Sequence, residues 1–75
     1  MATYKYFVLI EKGETNYGGY APDLPGLGVT GATKEEVIQR MKEAMKFHLE
    51  GLKSGGDPIP DVSIVQTECM SVEVD

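Results

Sequence analysis

The sequence has only one cysteine, Cys69, among its 75 residues. A single thiol cannot form an internal disulfide, and there is no second cysteine to share a metal cluster. No segment approaches the roughly 20 consecutive apolar residues that a transmembrane helix needs, and the N-terminal residues lack the apolar segment and cleavage site of a signal peptide. These absences predict a protein of the reducing cytoplasm that has no contact with a membrane.

Positive charge is also scarce. Seven Lys and Arg residues stand against twelve Asp and Glu residues, which gives a net charge of −5. Because binding to a phosphate backbone requires concentrated positive charge, direct nucleic-acid binding is disfavoured. Electrostatics favour a basic protein partner instead, and the alternative is that the charge only keeps the protein soluble.

The length of the chain predicts one domain, residues 1–75, with a thin core. A domain of this size buries only about 60% of the surface that its unfolded chain exposes. Association is a common remedy for a small core, so we expect a homo-oligomer, either a dimer or a tetramer.

Aromatic and β-branched residues that alternate along the chain predict a first strand at residues 3–11. One face would carry Tyr4, Tyr6, Val8 and Ile10, and the other would carry Lys5, Phe7, Leu9 and Glu11. Since Phe7 and Leu9 make the second face apolar as well, this strand should be central or should pack against another subunit. Tyr6, Phe7 and Leu9 are therefore the predicted oligomer interface.

Two more strands are predicted at residues 17–21 and 27–31, on either side of a proline loop at residues 22–26. Glycines inside the second strand indicate a bulge or a close approach of another part of the backbone. Each proline restricts its own φ and favours an extended conformation in the residue before it, so the loop should be rigid.

One long helix is predicted to begin after Thr33. Thr33 and Glu36 form a capping-box pattern, in which each side chain can bond to the other residue's backbone. Apolar residues recur at helical spacing along the segment, Glu36 and Arg40 form a supporting i,i+4 pair, and the two glycines after Ser54 end the helix.

Clean alternation at residues 70–74 predicts a last strand. The resulting β-β-β-α-β order predicts the α+β class, a two-layer domain with one long helix packed on a twisted, mainly antiparallel sheet. The last strand would rejoin the sheet by a right-handed crossover wherever it runs parallel to its neighbour.

Several segments together resemble the signature of the HicB-like antitoxin family. A Gly-Gly-Tyr strand and a Pro-Asp-Leu-Pro-Gly loop occupy residues 18–26, and a turn with a Glu-Glu helix start occupies residues 30–37. Residues 57–60 resemble the proline connector that follows the helix in this family, and residues 72–75 resemble its last strand. Each piece is weakly specific, but their order and spacing across nearly the whole chain make the resemblance fairly specific.

The resemblance implies a reduced RNase H-like fold and an antitoxin that binds a HicA-type toxin, a small basic mRNA-cleaving protein, and occludes its active site. Leu27 departs from the cysteine that the family often has at this position. Many members also carry a C-terminal domain that binds operator DNA; none is expected here, because the sequence to Asp75 shows no such segment. A solitary homo-oligomeric protein without a toxin is therefore an open alternative.

A metal-dependent RNase H-like nuclease is a third alternative, because two-metal catalysis needs several carboxylates around the ions. Glu11, Asp23 and Glu36 are candidates by residue type alone, and Glu36 already has a role in capping. The lone His48 is expected to pack on or beside the apolar stripe of the helix, and Cys69 to be an inert residue of the core or an interface. We expect no enzymatic activity, no catalytic residue, no metal and no cofactor.

The residues predicted to contact a protein partner are Tyr17, Tyr20, Asp23, Leu24 and Pro25. The rigid loop would present Asp23 and Leu24 at low entropic cost, and tyrosine is favoured at interfaces because its ring packs while its hydroxyl stays hydrogen-bonded. The alternative is that the glycines and prolines of this region only shape a bulge and a corner.

Overall fold

The computed structural model describes residues 2–75. Three strands, β1 (Leu9–Lys12), β2 (Tyr17–Tyr20) and β3 (Gly28–Gly31), precede one long helix, α1 (Lys34–Ser54). The strands form a single antiparallel sheet in the order β1-β2-β3. The predicted α+β class, with one long helix and an antiparallel sheet, is confirmed.

The strands are shorter than the sequence predicts. β1 begins at Leu9 rather than at residue 3, and Leu9 pairs with Tyr20, the last residue of β2. The chain turns immediately after this pair, where the Leu24 amide donates to the Ala21 carbonyl at 2.9 Å. The residues before Leu9 therefore have no regular strand beside them.

The register of the strands sorts the side chains onto two faces of the sheet. Gly19 pairs with Ile10 on one side and with Val29 on the other, and a Cβ built on Gly19 would lie 2.6 Å from Val37 Cγ1. Gly31 is nearly as tight, since a Cβ there would lie 2.9 Å from the nearest helix atom, Glu36 Cβ. This row of residues faces α1, and the glycines allow the close approach that the sequence predicts.

The start of α1 follows the capping prediction in part. The Thr33 hydroxyl accepts a hydrogen bond from the Glu36 amide at 3.1 Å, which satisfies one of the free amides of the first turn. The Glu36 carboxylate does not return the bond; it forms an ion pair with Arg40 at 3.0 Å. The i,i+4 pair is thus confirmed, and it takes the place of the second half of the capping box.

The helix ends at the predicted glycines, with the left-handed conformation on the second of them. Gly55 retains a right-handed φ of −82°, whereas Gly56 has a φ of +75°. The Gly56 amide donates to Lys53 and the Asp57 amide donates to Leu52. These bonds satisfy the last carbonyls of the helix and redirect the chain.

The core is small and lies between α1 and the β2–β3 half of the sheet. The helix packs against β2 and β3, and reaches β1 much less. Four hydrophobic residues are fully buried: Ala21, Leu24, Val37 and Met41. Two of them come from the turn after β2, so this turn helps to build the core as well as to connect two strands.

The predicted last strand is not formed. Residues 57–75 contain neither helix nor strand, and Met70, Val72 and Val74 are 81%, 80% and 89% exposed. No crossover is made, because no strand within residues 2–75 pairs with residues 70–74. The molecule is accordingly elongated, measuring 52 × 28 × 20 Å with a radius of gyration of 14.6 Å, where a compact chain of this length would have about 11 Å.

Candidate functional site: the uncovered face of the sheet

One face of the sheet carries no helix. We call it the outer face, and it comprises the residues that alternate with the helix-facing row: Leu9, Glu11, Gly18, Tyr20, Gly28 and Thr30. A shallow depression of about 450 Å³ lies on this face, and Glu11, Tyr20 and Thr30 are among the residues that line it. A surface of this shape can receive a projecting side chain of another molecule.

The depression exists because two of the outer-face residues that line it, Gly18 and Gly28, have no side chain. A Cβ on Gly18 would meet its nearest neighbour at 3.7 Å, and a Cβ on Gly28 would meet its nearest at 3.5 Å, both ordinary contacts. Neither glycine has a positive φ. Packing within the chain therefore does not require glycine at these two positions, in contrast to Gly19 on the helix side.

Of the two tyrosines predicted to contact a partner, only Tyr20 lies on the outer face, where its side chain is 40% exposed. Tyr17 lies three positions before Tyr20 along β2 and therefore on the opposite face; it shares the helix-facing side with Gly19, and it is half-buried. The two tyrosines therefore cannot contact one partner surface together.

Asp23 holds another part of the same chain. Its carboxylate accepts hydrogen bonds from the Ser63 hydroxyl at 2.6 Å, the Ser63 amide at 3.1 Å and the Ile64 amide at 3.4 Å. The bond from the Ser63 hydroxyl is the main cause that lowers the pKa of Asp23 below its ordinary value, and the two amides act in the same direction. Asp23 therefore anchors the segment after the helix rather than standing free on a loop.

Leu24 is completely buried, with 0% of its surface exposed. The Leu27 amide donates to the Leu24 carbonyl at 3.3 Å, and Gly26 adopts a positive φ of +82° in this corner. Leu24 is thus turned into the core, where a partner cannot reach it, while Pro25 beside it remains exposed. The alternative interpretation of the loop, as a structural corner, describes Leu24 correctly.

The predicted oligomer interface is divided between the two faces. Tyr6 packs against the core on the helix side, and its hydroxyl donates to the Pro60 carbonyl at 2.5 Å. Burial is the main cause that raises the pKa of Tyr6, and electrostatic repulsion by Tyr4, Asp61 and Asp23 acts in the same direction. Alternation from Val8, whose side chain faces Gly19, places Phe7 and Leu9 on the opposite side.

The carboxylates considered for a nuclease are not assembled. Among residues 2–75, no group of three or more His, Cys, Asp or Glu side chains could hold a metal ion. Asp23 is bound to Ser63 and Glu36 to Arg40, and His48 is half-buried on the helix as expected. Cys69 is a free and exposed thiol, so the expectation of a core position is wrong for this chain on its own.

Sequence reasoning missed two features of the site. The bond between Asp23 and Ser63 joins residues 40 positions apart, and no local pattern indicates it. The depression, in contrast, has a signal in the sequence: Gly18 and Gly28 can be placed on one face once the strand register is known.

Fold and surface together define the class of this molecule, a small two-layer α+β domain in which one face of the sheet is not covered by the helix. The family model described as the HicB-like antitoxin of bacterial toxin-antitoxin systems matches residues 6–74. The chain therefore belongs to the HicB-like antitoxin family.

Of three relatives, two have a similar extent and the third is longer. A UPF0150 protein of Thermoplasma acidophilum is 40% identical over 57 residues, which are 75% of this chain and 83% of that protein. A UPF0150 protein of Synechocystis is 35% identical over 63 residues, covering 83% and 80%. An uncharacterized protein of the rep-hol intergenic region of Haemophilus phage HP1 is 36% identical over 55 residues, covering 73% of this chain but 41% of the phage protein. No solved structure matches the chain.

Within residues 2–75, α1 is not apolar enough to span a lipid bilayer.

Proposed function

We propose that this chain is an antitoxin that binds a HicA-type mRNA-cleaving toxin and occludes its active site. Membership of the HicB-like antitoxin family supports a toxin partner in general. The observation that carries the proposal further is the outer face, an uncovered sheet surface that has both an exposed aromatic residue and a depression.

The chemistry of the outer face suits a basic protein. Tyr20 offers a large ring that is already held by a strand, so little side-chain entropy is lost when it is buried, and tyrosine is among the residues that dominate binding energy at interfaces. Gly18 and Gly28 leave room for one projecting side chain of the toxin. Glu11 on the rim of the depression can pair with that side chain if it is Lys or Arg.

Long-range charge adds to this local fit. The net charge of −5 attracts a basic toxin from a distance and speeds association, an effect that weakens as salt is added. Glu11 is the only charged residue among those that define the outer face. The outer face therefore contributes shape and aromatic contact to binding, and the net charge of the whole chain contributes long-range electrostatic attraction.

The proposal is tested by purifying the chain with the small basic protein encoded beside its gene and measuring their association by calorimetry at two salt concentrations. We expect a complex of defined stoichiometry whose affinity falls as salt rises. A neighbouring protein that cleaves RNA but does not associate with this chain would contradict the proposal.

The remaining expectations have different support. The solitary homo-oligomer is the second candidate, and it is favoured by the exposed apolar residues of the C-terminal segment. A role without catalysis agrees with family membership, whereas a nuclease gains no support from the scattered carboxylates. An RNase H-like relationship, location in the cytoplasm and the absence of direct DNA binding remain predictions.

A further inference from the structure

We propose that residues 65–75, here called the C-terminal arm, bind as a fourth strand to the free edge of β1 in a second copy of the chain, and that two copies exchange arms reciprocally. This inference concerns self-association and does not depend on the toxin.

The arm has the residue pattern of a β-strand but is not paired with any strand of the described chain. Met70, Val72 and Val74 alternate with Ser71 and Glu73, so an extended arm would have one apolar face. All three apolar side chains are at least 80% exposed. A row of large apolar side chains left in water is typical of a surface that is buried in an assembly.

The acceptor is an open groove between β1 and the helix, with a volume of about 590 Å³. It is lined by Tyr4, Lys5, Tyr6, Val8, Ile10, Ile38, Met41, Lys42 and Met45. The groove is open because α1 packs over β2 and β3 and leaves β1 largely uncovered, so that Ile38 remains 46% exposed. A strand added beside β1 with its apolar face toward α1 would cover these side chains.

Only one edge of the sheet is open along its length. At the β3 edge, the Arg40 guanidinium donates to the Thr30 carbonyl at 2.7 Å and so occupies the middle of the edge. At the outer edge of β1, no hydrogen bond from within residues 2–75 uses the backbone groups that face away from β2. Unpaired edge groups of this kind are a template for adding a strand.

One acidic side chain of the arm can meet a lysine of the groove. The arm contains Glu68, Glu73 and Asp75 and no basic residue. The groove contains Lys5 and Lys42 and no acidic residue, although the neighbouring cavity adds Glu50 together with two lysines. With Met70, Val72 and Val74 turned toward α1, Glu68 lies on the same side of the strand and can pair with Lys42, whereas Glu73 and Asp75 lie on the opposite side.

A second copy is the occupant because the arm stays exposed in its own chain and no arm residue lines the groove of that chain. Asp23 fixes Ser63 and Ile64 beyond the end of β2, and the longest dimension of the molecule reaches 52 Å. Fully extended, residues 65–75 would span about 36 Å, more than enough to follow β1 in a neighbour. Because every copy has both an arm and a groove, a two-fold dimer satisfies two sites at once.

Sedimentation velocity over a range of protein concentrations tests the proposal, with Val72→Asp as the disrupting variant and Ser71→Asp as its matched control. Val72 is 80% exposed in the single chain, so its substitution leaves the fold of the monomer intact. We expect the wild type and Ser71→Asp to form dimers, and Val72→Asp to raise the dimer dissociation constant by roughly 100-fold, because a symmetric dimer loses the buried side chain twice. The proposal is overturned if the wild type stays monomeric at every concentration up to its solubility limit. It is also overturned if Val72→Asp and Ser71→Asp have the same dimer dissociation constant.

Disulfide formation locates the arm. In an added strand, Cys69 would lie on the side opposite to Met70, which is the side of Leu9 and Glu11. Oxidation of Leu9→Cys or Glu11→Cys should therefore give a disulfide between Cys69 of one copy and the new cysteine of the other, seen as a dimer on a non-reducing gel with the linkage identified by mass spectrometry. Thr30→Cys, on the same face but at the far edge, should not react in this way. A disulfide within one chain, or equal cross-linking of Thr30→Cys, would contradict the exchange.

Discussion

Asp23 and Ser63 are 40 residues apart in the sequence and are joined by two hydrogen bonds, from the hydroxyl and the amide of Ser63 to the Asp23 carboxylate. The contact connects the proline corner after β2 to the segment that follows the helix. It determines where residues 65–75 leave the domain, and it removes Asp23 from the set of residues that are free to contact a partner.

The same contact predicts a dependence of stability on pH. Because its folded-state pKa is lowered, Asp23 stabilises the fold at pH values above its unfolded pKa of about 3.9, and this contribution is lost as the pH falls through the lower folded value. Replacing Ser63 by Ala removes the main cause of the lowered pKa. Thermal unfolding between pH 6 and pH 2.5 should therefore show a smaller loss of Tm in Ser63→Ala than in the wild type. Parallel curves for the two proteins would show that the bond contributes nothing.

Two neighbouring glycines should respond differently to the same substitution. Gly19→Ala places a Cβ 2.6 Å from Val37 Cγ1, in the core, and overpacking of this kind costs about 1–3 kcal/mol. Gly18→Ala meets only an ordinary contact at 3.7 Å and should change the free energy of unfolding by less than about 0.5 kcal/mol. Urea denaturation of both variants measures the difference, and an equal loss would show that the helix does not lie on the Gly19 side.

Leu24 should behave as a core residue despite its place in a surface loop. Leu24→Ala removes a side chain that is 0% exposed and should cost about 2–5 kcal/mol, as for other cavity-forming substitutions. Phe47→Ala is the control, since Phe47 is 81% exposed on the helix and its loss should cost less than about 0.5 kcal/mol. A mild effect of Leu24→Ala in denaturant melts, comparable to that of Phe47→Ala, would mean that the proline corner does not contribute to the core.

Tyr20 should contribute strongly to binding of the toxin and little to folding. Tyr20→Ala on the outer face should weaken the complex by about 2 kcal/mol or more, in the range of interface residues that dominate affinity, while the Tm changes little because the side chain is 40% exposed. Phe47→Ala, which removes an aromatic ring from the helix layer instead, should bind like the wild type. Calorimetric titration compares the affinity of the wild type, Tyr20→Ala and Phe47→Ala for the toxin. If Tyr20→Ala binds with full affinity, the interface lies on another surface.

Much of the fold could be predicted because local chemistry determines it. Thr33 caps α1, Glu36 pairs with Arg40, and Gly19 permits the close approach of the helix; each follows from residue type and spacing. The α+β class follows from the order of these elements.

The remainder depends on contacts that no local pattern contains. Alternation at residues 70–74 predicts an apolar strand face but cannot identify the strand beside it, and no strand among the described residues pairs with this segment. Asp23 and Leu24 are adjacent in the same loop, yet Asp23 binds Ser63 and Leu24 is buried. The directions of the Asp23 and Leu24 side chains depend on how the loop at residues 22–26 is oriented relative to the sheet. The sequence of the loop alone does not determine that orientation.

The most direct test of the account is whether the outer face blocks cleavage of RNA by the toxin. Purified toxin is mixed with wild-type chain or with Gly28→Arg, which fills the depression and adds a positive charge while its Cβ meets nothing closer than 3.5 Å. Circular dichroism confirms that the variant is folded. We predict that the wild type stops RNA cleavage at a stoichiometric amount and that Gly28→Arg does not. Complete inhibition by Gly28→Arg, or continued cleavage in the presence of excess wild type, would contradict the account.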